Sequence, residues 1–295
     1  MPSYRWQQYT CSYELQKSDS NATPLLLIHP IGVGLAGPFW QPFMDQWREH
    51  DPMGNQGRDL YVPDLLGCGQ SELPRRPYSP RDWAEQLHCL ISEVIQRPVI
   101  LVVQGALLPV ALELMADKTM AQGVAGAVLS GPPAWRLITE PTAPWRQRLN
   151  WSLFASPLGW GFYQYARRRG FLQSFSQRQL FARSEDVTEA WLAMLDQGSR
   201  DMATRYAVFS FLAGFWRQDY GAAIAASQKP ILVIMGETAS TIDRTAQDTT
   251  AQQRLTDYTS HFPQAQGVTI PGRNVLPYES TKEFIAVLRP FVNGL

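Results

Sequence analysis

A chain of 295 residues, 45% apolar and 18% charged, can bury a substantial core, either as one large α/β domain with an insertion or as two small domains. Its 26 basic and 26 acidic residues cancel, which leaves no electrostatic argument for a nucleic-acid partner. Cys11, Cys68 and Cys89 are odd in number and widely spaced, which fits a reduced compartment better than a disulfide framework and gives no metal-ligand spacing.

In chain order, residues 4–16 alternate loosely and read as one strand or a hairpin. The N-terminus MPSYRWQQYT is polar and aromatic and does not read as a signal peptide. Residues 24–29 (PLLLIH) form a buried strand that runs into the glycine-rich loop PIGVGLAG. Residues 38–50 read as a helix with Phe39, Phe43 and Trp47 on one stripe, ending at His50. Residues 58–63 are the next strand, followed by the loop DLLGCGQS. Ser79-Pro80-Arg81-Asp82 opens a helix with a capping serine, a proline in the first turn and an acid, and Trp83, Leu87, Leu90, Ile91 and Val94 give it a buried face. Residues 98–103 are an apolar, mostly β-branched strand. Gln104 and Gly105 turn the chain into the helix ALLPVALELMA, with Pro109 within its first turn or so. Residues 123–130 are a further strand. From residue 134 to about 220 no buried-strand run occurs, and Trp, Phe, Tyr and Arg recur at helical spacing. Alternation then resumes with a strand at 230–236, a helix at 249–262, a strand at 266–270 and a helix at 280–291. Residues 243–253 (DRTAQDTTAQQ) are the most polar stretch and are expected to be mobile. Strands alternating with helices predict a mostly parallel sheet covered on both faces, with residues 134–220 as a helical insertion over its top. No apolar run reaches roughly 18 residues, so no membrane span is expected. A soluble cytoplasmic protein without metal or cofactor is the expectation.

Several stretches together resemble the α/β-hydrolase superfamily. Strand, tight turn and helix around Gly105 have the layout of a nucleophile elbow. LLLIHPIGVGLAGPFW resembles the family's early strand and the loop after it. Asp64, Gly67, Gly69 and Ser71 match its Asp-x-x-Gly-x-Gly-x-Ser loop, the most distinctive of these motifs. KPILVIMGE resembles the strand that precedes the acid. The run IPGRNVLPYES, with the Trp- and Arg-rich insertion, also resembles a group of cyanobacterial and plastid proteins of unassigned activity. The resemblance implies an α/β-hydrolase core at 1–133 and 221–295 with a helical cap at 134–220.

The family's chemistry needs a nucleophile, an acid and a histidine base in that chain order. Aligned on the motifs, those places hold Gly105, Ala239 and Val275, none of which can do the work. The four histidines are His29, His50, His88 and His261, and none follows the last strand. His29 is the one to test as a relocated base; the other reading is a structural bond to loop backbone. Cys68 reads as a packed thiol, Ser130 has no histidine assigned near it, and Glu237 reads as solvated. The implied oxyanion donors are the N–H groups of Ala106 and Ile31. His29, Ile31, Gly105, Ala106 and Asn274 are therefore the expected ligand-facing set, for a small apolar ligand bound without cleavage or a site closed by its own side chains. In the insertion, the rings either pack on the sheet or face a protein partner or membrane surface, with Trp160, Arg167, Arg168 and Arg169 as the contact residues. The rival functions are a silent binding protein, a hydrolase or lyase with a non-standard catalytic set, and a membrane-peripheral assembly factor.

Overall fold

The structure, a computed structural model, describes residues 1–49, 57–240 and 249–295. His50 and residues 243–248 of the polar stretch lie outside them. Among the described residues, eight strands form one sheet in the order β1-β2-β4-β3-β5-β6-β7-β8. They are β1 (Ser3–Trp6), β2 (Tyr9–Gln16), β3 (Leu25–Ile28), β4 (Leu60–Pro63), β5 (Val99–Gln104), β6 (Val124–Ser130), β7 (Ile231–Gly236) and β8 (Ala265–Ile270). The first two make an antiparallel hairpin and β2 pairs antiparallel with β4; every other pairing is parallel. This is the α/β architecture expected from the sequence. Strands β3, β4, β5 and β7 are buried at every residue, which is why they read as unbroken apolar runs. Strand β8 sits at the sheet edge, and Gln266 and Gly267 are exposed there.

The helices on both faces follow from their caps and stripes. Helix α1 (Gln41–Glu49) is preceded by a short 3-10 turn at Gly37–Trp40, and Phe39, Phe43 and Trp47 are all buried. Helix α2 (Pro80–Cys89) begins with a capping box in which Ser79 and Asp82 exchange side-chain and backbone bonds. It loosens into a π turn at Leu90–Ile95, which rotates the buried face so that Ile95 enters the core and Val94 is left half-buried. Helix α3 (Leu108–Ala116) takes Pro109 in its first turn, where the missing N–H costs nothing.

Helices α4 (Trp135–Thr139), α5 (Pro144–Phe154), α6 (Pro157–Ala166), α7 (Arg169–Phe175), α8 (Glu189–Gly198) and α9 (Arg205–Leu212) fill residues 134–220, with no strand among them. They are tied to the loops at the carboxyl ends of the strands. Tyr78 N donates to Ser210 Oγ at 2.9 Å, and Arg75 Nη2 donates to the Ala155 carbonyl at 3.1 Å. A cluster of rings closes the same interface, with Trp191 of α8 edge-on to Tyr278 at 4.7 Å and to Phe181 at 5.0 Å between centroids. Each such pair is worth about 0.5–1.5 kcal/mol beyond the area it buries. Four helices complete the fold: α10 (Gly221–Ala226), α11 (Ala251–His261), α12 (Leu276–Glu279) and α13 (Thr281–Asn293). No helix among the described residues is long and apolar enough to cross a membrane.

Candidate functional site

Gly105 ends β5 with φ +63°, the left-handed conformation that an elbow requires of its central residue. A Cβ built on it would meet no atom within 4 Å beyond its two chain neighbours, so the turn has room for a side chain to start there. Gly105, Ala106 and Ile31 are half-buried and reachable from outside. Strands β3 and β5 pair in register, Ile28 beside Val103, so Ile31 and Ala106 each stand three residues past a matched pair at the same sheet edge. Among the described residues neither backbone N–H has an acceptor within the chain. Two free donors at one strand edge suit a carbonyl oxygen.

Around that space the strand ends are joined by a buried hydrogen-bonded chain. Ser130 Oγ donates to Gln104 Oε1 at 2.7 Å, and Gln104 Nε2 donates to the Asn274 carbonyl at 2.6 Å. The Asn274 amide continues it, donating to the Gln179 carbonyl at 2.7 Å and the Ser240 carbonyl at 3.0 Å. The ends of β5, β6, β7 and β8 and the segment at Gln179 are thus fastened by amides. The Ser130 hydroxyl faces an amide oxygen, which cannot take its proton.

Val275 is 3% exposed and packs with Leu276, Phe284 and Leu288 on the opposite side of the loop, in the core under α13. Asn274, one residue earlier, carries the side chain that reaches the loop after β7. In this register the side chain that reaches Ser240 is that of Asn274. No isolated sequence signal gives this register except that Asn274 is the last polar residue before the apolar run Val275-Leu276-Pro277. The role of Gln104 has no signal at all, since its bonds join positions 26 and 170 residues away.

His29 is completely buried, and its ring is spent on backbone. Nδ1 lies 3.0 Å from the Pro30 carbonyl and so carries the proton, and Nε2 accepts from the Leu65 N–H at 3.1 Å. Neither nitrogen is free to bind a ligand or to act as a base. Burial holds the imidazole below its ordinary 6.5, against the opposing pull of Asp64. The folded state therefore stays neutral where the unfolded chain takes up a proton, so stability falls as pH drops below about 6.5, by up to about 1.4 kcal/mol per pH unit. Urea titrations should show this loss between about pH 7 and about pH 5.5 in the native chain and a smaller loss in His29→Asn; equal losses would contradict it. His261 stacks on Trp135 at 4.1 Å and bonds the Asp257 carbonyl at the end of α11. His88 lies on α2.

The Asp64–Ser71 loop is scaffold. The Asp64 carboxylate accepts from Gly37 N and from Gln70 N, both at 2.8 Å, and its carbonyl accepts from Ser71 Oγ at 2.7 Å. A Cβ on Gly69 would lie 2.2 Å from that carboxylate, which is why glycine stands there. Cys68 is buried, and burial together with Asp64 pushes its thiol well up, away from the reactive thiolate. Glu237 is exposed. Two surface depressions, one between Pro230, Gln266 and Leu295 and one between Ile91, Arg97 and Gln122, lie at the amino ends of the strands, away from Gly105.

Of the expected contact residues in the insertion, Trp160 is 50% exposed. Arg168 is exposed, its guanidinium over the Tyr165 ring. Arg167 is half-buried against the Met202 sulfur, and Arg169 is paired with Glu189. The three arginines thus have three different surroundings.

The profile of the alpha/beta hydrolase family matches residues 25–287. Among solved structures, the chain resembles a serine hydrolase from Cycloclasticus zankles, a polyaromatic-hydrocarbon-degrading bacterium (16% identity, 99% of this chain and 97% of that one, TM-score 0.74). It also resembles the enol-lactonase of Burkholderia xenovorans (14%, 99% and 100%, 0.72) and an esterase from Thermogutta terrifontis with malate bound (18%, 97% and 94%, 0.71). At these identities the likeness is one of fold. No curated protein matches the sequence. With the six strands β3 to β8 and the helices between them inside the matched segment, the chain belongs to the alpha/beta hydrolase family.

Proposed function

We propose that this chain is a non-hydrolytic member of its family, which binds the carbonyl of a small apolar ligand at Gly105 without cleaving it. The observation that carries the reading is the occupancy of the strand ends: a glycine at the elbow, and a Gln104–Asn274 amide chain where a base and its acid would have to meet. The free N–H groups of Ile31 and Ala106 and the open space at Gly105 support ligand binding. In this reading residues 1–133 and 221–295 are the binding core and 134–220 its cap. The three free cysteines fit a cytoplasmic setting.

The rival is a hydrolase or lyase with a non-standard catalytic set, and the resemblance to esterases and a lactonase keeps it in play. A panel of aryl esters, lactones and vinylogous diketones separates the two. The proposal expects all of them to be recovered intact, and short esters to lose their affinity on Gly105→Leu, which fills the elbow. Turnover that follows the protein through purification and disappears on Gly105→Leu would overturn it.

A further inference from the structure

Helices α5 and α6 form a hairpin whose outer side is apolar. Trp145, Leu149 and Leu153, one stripe at i, i+4 and i+8, are 62%, 61% and 52% exposed. On α6, Leu158, Trp160, Phe162 and Tyr165 are 44–72% exposed. These seven are most of the ten large apolar side chains that the described residues leave exposed. The inner side of the hairpin is already satisfied. Phe154 stacks on Phe209 at 5.1 Å, and Tyr163 bonds Thr204 Oγ1 at 2.8 Å. The outer stripe is therefore surplus to folding.

Its charge is of one sign. Residues 141–184 contain seven arginines and no aspartate or glutamate, in a chain whose net charge is zero. Arg146, Arg148 and Arg168 are exposed and have no carboxylate partner among the described residues. A second copy of the chain is a poor occupant, because a two-fold contact would set this arginine cluster against itself. Leu153 and Leu158 flank the turn at 155–156 and are 52% and 72% exposed, so the leucines at the end of the hairpin stand open to whatever meets it. Indole and phenol rings, exposed leucines and arginines without carboxylate partners match a uniformly negative, partly apolar plane.

We propose that the outer face of the α5–α6 hairpin docks on bilayers containing anionic lipid, with the Trp145–Leu149–Leu153 stripe entering the headgroup boundary and Arg146, Arg148 and Arg168 meeting lipid phosphates. The proposal is independent of what happens at Gly105.

The test is sedimentation of the purified chain with vesicles of phosphatidylcholine alone and with phosphatidylglycerol in equal parts. Binding to the mixed vesicles only, weakened by salt, is expected. Arg146→Gln, Arg148→Gln and Arg168→Gln together should weaken it by roughly 100-fold, about fivefold per charge. Trp145→Ser, Leu149→Ser and Leu153→Ser together should abolish it without lowering the melting midpoint. Brominated lipid should quench native tryptophan fluorescence, a readout that needs no variant. No binding to the mixed vesicles, or binding that survives both sets of replacements, overturns the proposal. So does a native dimer that Leu149→Ser dissociates while vesicles are ignored.

Discussion

Gly105→Ser, Ala239→Asp and Asn274→His combined are expected to turn the chain into a slow esterase, about 10²- to 10⁴-fold above the native protein on an activated short-chain ester. The elbow is ready for the change. A serine Cβ meets nothing within 4 Å, and φ +63° is the strained conformation from which the family's nucleophile projects. The strain costs about 1–2 kcal/mol. At position 274 the imidazole would replace an amide that already reaches the loop carrying Ala239 and Ser240, at a cost of about 1–3 kcal/mol for the lost bonds to Gln179 and Ser240. The unpaired N–H groups of Ile31 and Ala106 need no change. The informative control is Val275→His in place of Asn274→His. It should give no gain and should destabilise, because it puts a polar ring into the apolar cluster under α13. Equal activity from the two would refute the register drawn from the structure.

Asp64→Ala is expected to be the most damaging single change in the loops, costing about 3–5 kcal/mol, with a fall in melting midpoint of roughly 6–15 °C. The carboxylate holds Gly37 at the start of the turn before α1 and Gln70 in its own loop, and it is 1% exposed. Removing it leaves the buried Gly37 N–H without an acceptor and loosens the seat of the His29–Leu65 bond. Glu237→Ala, an acid in another strand-end loop but exposed, should change stability by less than about 0.5 kcal/mol. Thermal unfolding of both variants decides the point; an Asp64→Ala protein as stable as the native chain would show that the loop is not the scaffold described.

The residues most legible in the sequence are the ones that hold this scaffold. Asp64, Gly69 and Ser71 are readable because they meet within one loop at the Asp64 carboxylate and carbonyl, and Gly67 because a Cβ there would run into Tyr78. The buried strands and the Ser79 cap are readable for the same reason, each being set within a few residues of itself. The site is less legible because its contacts are long-range. The Ser130–Gln104–Asn274 chain joins three strand ends, and an amide in such a chain looks like any other polar residue in the sequence. That Asn274 reaches Ser240 is equally hidden, because the chain passes at once into the short helix α12, whose first apolar residues face the core. His29 was readable as a pair of alternatives, and the partners of its two nitrogens decide between them. The α5 stripe stayed ambiguous in phase because the helix is apolar on two sides. Trp151 and Phe154 pack inward, while Trp145, Leu149 and Leu153 face out.

The central claim is that amide hydrogen bonds occupy the strand ends in place of a nucleophile and base. Intact-protein mass after incubation with a fluorophosphonate probe tests it most directly, with the triple variant as the positive control. The account predicts an unmodified native chain beside a singly modified variant carrying the probe on residue 105. A stoichiometric adduct on any serine, threonine or cysteine of the native chain would contradict it.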